Sequence, residues 1–193
     1  MNKKLLSLAA FSCLALTSAN AATYSYAVSF QNETTPVSNG VGSGTAVYDD
    51  TARTLQLDVI FSGLNGNTTV SHIHASTASP FTGTAGVATT SPSFEGFPKD
   101  VKAGSFSLLL DLSLTSSFNT SYLNAKGGTT LGAETALVSA IASGNAYWNI
   151  HSSTNPGGEI RGFFVAVPEP STLALLSLGA LGTLGVMRRK KVA

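Results

Sequence analysis

Alternation of apolar and polar residues in two short windows sets the fold class. Tyr24, Tyr26, Val28 and Phe30 alternate with Ser25, Ala27 and Ser29, while Leu55, Leu57, Val59 and Phe61 alternate with Gln56, Asp58 and Ile60. Successive side chains of an extended strand point to opposite faces, so each window presents one apolar face to a core. Further strands are expected at 44–48, 70–75, 106–114, 146–151 and 159–166, separated by turn signals such as Tyr48-Asp49-Asp50 and Leu64-Asn65-Gly66-Asn67. One segment has a different period. Ala133, Ala136, Leu137, Ala140 and Ile141 have helical spacing, with Glu134 in the first turn and Gly144 past the end, which predicts one short helix over 133–142. The expected architecture is mostly β: an antiparallel β-sandwich or flattened barrel with that single helix.

Asn155-Pro156-Gly157-Gly158 is the clearest turn. Proline presets φ and glycine accepts positive φ, so the chain is expected to reverse there and pair 146–151 with 159–166, with Gly157 as the residue whose replacement should matter. Glu159 and Arg161, two residues apart on one strand, are expected to form a surface ion pair. Phe81, Phe94 and Phe97 lie among prolines and glycines, as in a long loop that tucks rings against a sheet edge.

Both ends carry addresses. Lys3 and Lys4 precede an apolar stretch from Leu5 to Leu16, and the small residues Ala19 and Ala21 suit a signal peptidase, which predicts a signal peptide over 1–21 cut between Ala21 and Ala22. The only cysteine, Cys13, falls inside it, so the exported domain at 22–166 must be held by its core without a disulfide. Between Ala22 and Val167 five cations face nine anions, a net charge of −4. The chain's formal charge of +1 therefore comes from its ends, and nucleic acid, which needs clustered Lys and Arg, is excluded as a partner.

At the other end, 167–193 reads Val167-Pro168-Glu169-Pro170, an uncharged apolar run at 171–187, then the basic tail 188–191. As a helix the 17-residue run is about 25 Å long, a minimal transmembrane span, and the cations after it favour a cytoplasmic end. This order of parts resembles the PEP-CTERM sorting signal of Gram-negative bacteria. The resemblance implies an exosortase-type processing enzyme acting near the motif, a transient stay in the inner membrane, delivery to the cell surface or extracellular matrix, and extracellular polysaccharide as a partner. A permanent single-span anchor is the alternative.

Two further stretches stand out: Ser71-His72-Ile73-His74, and Ala146-Tyr147-Trp148-Asn149-Ile150-His151 continued by Asn155-Pro156-Gly157-Gly158-Glu159-Ile160-Arg161-Gly162. They resemble the CHRD domain, first described in the developmental regulator chordin, over about 23–166. That family implies a β-rich extracellular module with no established enzymatic activity. The segment Ala75-Ser76-Thr77-Ala78-Ser79-Pro80 departs from the glycine-rich turn common after His-x-His in bacterial members.

All three histidines of the chain, His72, His74 and His151, fall in these stretches. His72 and His74 project from one strand face with Cα atoms about 6.5–7 Å apart, a spacing that suits one metal ion, and His151 would complete a set fit for copper or zinc. The competing reading makes them partly buried residues bonded to loop backbone, with no carboxylate assigned to orient the rings. Catalysis finds no support: no cysteine nucleophile remains after export, there is no Gly-x-Ser-x-Gly elbow, and Asp49-Asp50 sits in an expected turn. The expected function is thus a non-enzymatic exported binding or structural module. A histidine-based copper or zinc protein, redox-active or not, and a polysaccharide adhesin are the alternatives.

Overall fold

Seven strands form one antiparallel sheet: β1 (Thr23–Asn32), β2 (Val41–Asp49), β3 (Thr54–Ser62), β4 (Thr68–Ala75), β5 (Gly104–Asp111), β6 (Ala146–Ser152) and β7 (Ile160–Ala166). Their order is β4-β6-β7-β1-β2-β3-β5, and the sheet curls into a half-barrel. The structure is a computed structural model and describes residues 22–168, with 34 and 36 excepted. The expected signal peptide at 1–21 with Ala21, Glu169 and Pro170 of the sorting motif, the apolar run at 171–187 and the tail at 188–191 lie outside the described residues. Among the described residues no helix is long and apolar enough to cross a membrane.

The inner face of the sheet carries the core. Tyr26, Val28 and Phe30 of β1 and Leu55, Leu57, Val59 and Phe61 of β3 are all buried, as the alternation requires. Trp148 of β6 is wholly enclosed, with Phe30 edge-on at 5.4 Å, Phe94 edge-on at 6.1 Å and its indole N–H donating to Ser71 Oγ at 2.8 Å. Each such ring pair contributes about 0.5–1.5 kcal/mol beyond area burial. Strand β2 starts at Val41 rather than 44. Its inward positions 42 and 44 are glycines: a Cβ on Gly44 would lie 2.7 Å from the backbone oxygen of Asp58 and one on Gly42 2.9 Å from that of Ile60, so the missing side chains that hide the period also let β2 lie close against β3.

The helical content is larger than the single helix expected. A short α1 (Thr120–Ala125) is capped by Asn119, whose Oδ1 accepts from the backbone of Ser121 and Tyr122. Helix α2 (Thr130–Ala142) begins earlier than 133, with Thr129 as its N-cap, and Gly144 follows its end at φ 73°. Glu134 consequently lies beyond the first turn. It points into the core, where it accepts from Tyr48 Oη at 2.8 Å and Arg53 Nε at 2.6 Å, fastening α2 to the sheet. Strand β5 ends at Asp111, short of the expected 114, because the Asp111 carboxylate draws Ser113 N–H to 2.8 Å and turns the chain.

Two expectations around the β6–β7 hairpin need correction. The strands pair as expected, with Asn149 opposite Arg161, but positive φ falls on Gly158 at 128° and not on Gly157. Glu159 makes no surface pair with Arg161. It is fully buried and accepts from Ser38 Oγ, Ser152 Oγ and the backbone N–H groups of Asn65 and Gly66. Four donors outweigh the burial that opposes its charge, and its pKa falls below the usual carboxylate value.

Between β4 and β5 the chain forms a long strap that lies along the otherwise open edge of β4. Ala88 N–H donates to Ile73 O at 2.8 Å, Phe94 N–H to Ser71 O at 3.0 Å and Ala75 N–H to Gly86 O at 3.2 Å. An unpaired strand edge invites foreign pairing, and the strap occupies this one. Phe94 and Phe97 are buried as expected, whereas Phe81 is 57% exposed.

Candidate metal centre

The three histidines meet on the outer face of the β4–β6 pair, opposite the main core. Ile73, Trp148 and Ile150 point inward, so period two sends His72 and His74 of β4 and Tyr147, Asn149 and His151 of β6 outward together. His72 stands opposite Asn149 and His74 opposite Tyr147. The strand order that sequence could not supply puts β4 beside β6, and that adjacency brings His151 to the other two.

Each imidazole is held by a loop carbonyl. Nδ1 of His72 lies 3.0 Å from Pro92 O, Nδ1 of His74 2.7 Å from Ala85 O, and Nδ1 of His151 2.7 Å from Pro156 O. A carbonyl only accepts, so each Nδ1 carries the ring proton and each Nε2 presents a bare lone pair. The three rings are gathered closely, with one ligand nitrogen from each lying within 4.8 Å of the others. Nε2 of His72 and Nε2 of His151 are 3.0 Å apart, and neither has a proton to give the other in this tautomer. Nε2 of His74 is buried with no hydrogen-bond partner.

A proton could relieve this crowding only if the site tolerated charge. Burial, aided by the neighbouring imidazoles, pushes the His72 pKa down to about 4, and burial lowers those of His74 and His151. The rings are therefore neutral at pH 7. Three neutral imidazoles gathered in this way make a ligand set for copper or zinc, whose bonds to histidine nitrogen are about 2.0–2.1 Å long.

The competing reading of the histidines also holds as geometry: all three do bond loop backbone. The two readings use different nitrogens and are compatible, and carbonyls do the orienting that no carboxylate was expected to do.

The surroundings include residues the sequence left unassigned. Tyr147 stacks on His74 at 4.7 Å with the planes 4° apart, and the Arg161 guanidinium lies over the same tyrosine ring at 4.8 Å. Arg161 donates to Gly83 O at 2.8 Å and stands 3.7 Å from Glu33, whose pKa is raised by burial. Glu33 accepts from Asn149 Nδ2 at 3.2 Å. Asn149 was findable, being two residues before His151 on one strand. Glu33 sits where the sequence has no period and gave no signal.

Pro168 and Val167 of the expected sorting motif are exposed past the end of β7, where Val167 N–H donates to Ser25 O at 2.8 Å. Ala22, at the expected cleavage site, donates its backbone N–H to Asp50 Oδ1 at 3.1 Å.

Comparison with known families agrees with this layout. A PEP-CTERM protein-sorting motif matches residues 166–190, which marks the chain as one exported and sorted to the cell surface by an exosortase-type system, as in Gram-negative bacteria. No curated protein and no solved structure matches the chain. The CHRD domain model matches residues 24–164, from the first strand through the last and including all three histidines, and the chain belongs to the CHRD domain family.

Proposed function

We propose that the domain is a non-enzymatic, exported module that holds one copper or zinc ion through Nε2 of His72, His74 and His151 and presents it at the cell surface or in the extracellular matrix. The observation that carries this reading is the gathering of three buried imidazoles whose ligand atoms lie within 4.8 Å of one another, with Nε2 of His72 and Nε2 of His151 only 3.0 Å apart. Collecting acceptors with no donor is costly for a folded protein, at about 1–3 kcal/mol for each buried unsatisfied group, and a cation removes that cost. Three loop carbonyls fix the tautomer the ion requires. The sorting motif supports the location.

Metal analysis and thermal melts of the mature protein test the reading. One equivalent of bound copper or zinc is expected, with stabilisation of about 2.7 kcal/mol when free ion is a hundredfold above Kd. His151→Ala should abolish the shift. Substoichiometric metal together with a melting temperature indifferent to both ions would sink the proposal.

A further inference from the structure

Beside the three imidazoles lies a fourth acceptor that nothing in the fold uses. Asn149 is fully buried, stands opposite His72 on the neighbouring strand and precedes His151 by two residues on the same face. Its amide has only one satisfied end. Nδ2 donates to Glu33 Oε2 at 3.2 Å, while Oδ1 is enclosed without a partner. The orientation is chemically forced, because a carboxylate accepts from an amide NH2 and repels an amide oxygen. The oxygen is thereby turned from Glu33, on the sheet face that also carries His72, His74 and His151. The neighbouring Nε2 of His74 is equally enclosed and unpartnered.

We infer that Asn149 Oδ1 is the fourth ligand of the ion held by His72, His74 and His151, and that Glu33 is the positioning residue that aims it. This inference rests on the metal-binding reading above and specifies it. Three nitrogens and one neutral oxygen make a closed four-ligand set, which suits Cu(II) or Zn(II). A closed set leaves no position for substrate or water, so the site retains its ion instead of working on a substrate with it. The Glu33 carboxylate, 3.7 Å from Arg161, polarises the amide and raises the donor strength of Oδ1, as outer partners of metal ligands do.

The test is electron spin-echo modulation of the mature protein loaded with Cu(II) in heavy water. Wild type is expected to show imidazole nitrogen modulation without the deuterium signal of an equatorial water. Asn149→Ala should acquire that signal, and Asn149→Asp, which keeps an oxygen, should not. Glu33→Gln should weaken Cu(II) binding by about tenfold to a hundredfold in a chelator competition. An equatorial water in the wild-type spectrum would overturn the assignment of Asn149 even if Asn149→Ala fails to fold. His151→Ala binding Cu(II) as tightly as wild type would instead overturn the histidine site beneath it.

Discussion

Glu159 and His72 show that burial penalises charge on both and that hydrogen-bond donors decide whether the charge survives. Glu159 is fully enclosed yet keeps its charge, because two hydroxyls and two backbone N–H groups donate to it. Glu159→Gln keeps the shape but turns an NH2 on donors, and should cost about 3 kcal/mol by denaturant unfolding. An unchanged midpoint would mean that the four bonds contribute nothing net. His72 has no donor on its inner nitrogen, and burial drives its pKa from 6.5 to about 4. The unfolded chain then binds more protons than the folded one between those values, so stability is complete above about 6.5 and drains as pH falls towards about 4. In chelator-treated protein the melting temperature should fall across that window, and His72→Gln should flatten the slope. Sequence showed that the histidines share strands, but not that each Nδ1 would find a carbonyl, since Ala85, Pro92 and Pro156 come from loops without any period.

At the scale of elements, the strap between β4 and β5 builds the site as much as the strands do. It closes the β4 edge and carries two of the three carbonyls that set the tautomers, Ala85 O and Pro92 O. One anchor is Phe81, whose N–H donates to Gly144 O at 2.7 Å just past α2, with its ring against that glycine. Gly144 has φ 73°, and a Cβ there would approach the Phe81 ring to 2.5 Å. Gly144→Ala should therefore cost about 1–3 kcal/mol and also weaken metal binding by loosening the strap. A variant that melts lower while binding as wild type does would separate the strap from the site. The elements themselves were legible where side chains alternate, in β1 and β3, and illegible where glycine stands in for an inward residue, as at 42 and 44 of β2. Alternation also misled: Leu108, Leu110, Leu112 and Leu114 keep the period beyond Asp111, but the Asp111 carboxylate turns the chain there. Helix α1, six residues long, is too short for a pattern to emerge.

For the whole molecule, strand order was the information sequence lacked, and it decides both the site and the exit of the chain. Placing β4 beside β6 assembles the histidines, and placing β7 beside β1 brings Val167 next to Ser25, close to Ala22. The last backbone bond from β7 to β1 is made by Val167, the first residue of Val-Pro-Glu-Pro, so the fold runs directly into the motif without a spacer. Proline at 168 has no N–H to continue the ladder and ends it there. Processing and folding should accordingly be separable at this junction. Replacing Pro168 and Pro170 with alanine should leave the melting of the domain unchanged, because Pro168 is exposed past the end of β7 and the CHRD match ends at 164, while the protein stays in the membrane fraction with Arg188 to Lys191 attached. Fractionation of the native host with mass spectrometry of the C-terminus reads both results. Wild-type protein recovered from the cell surface with that basic tail still present would show that the motif anchors the module permanently instead of releasing it.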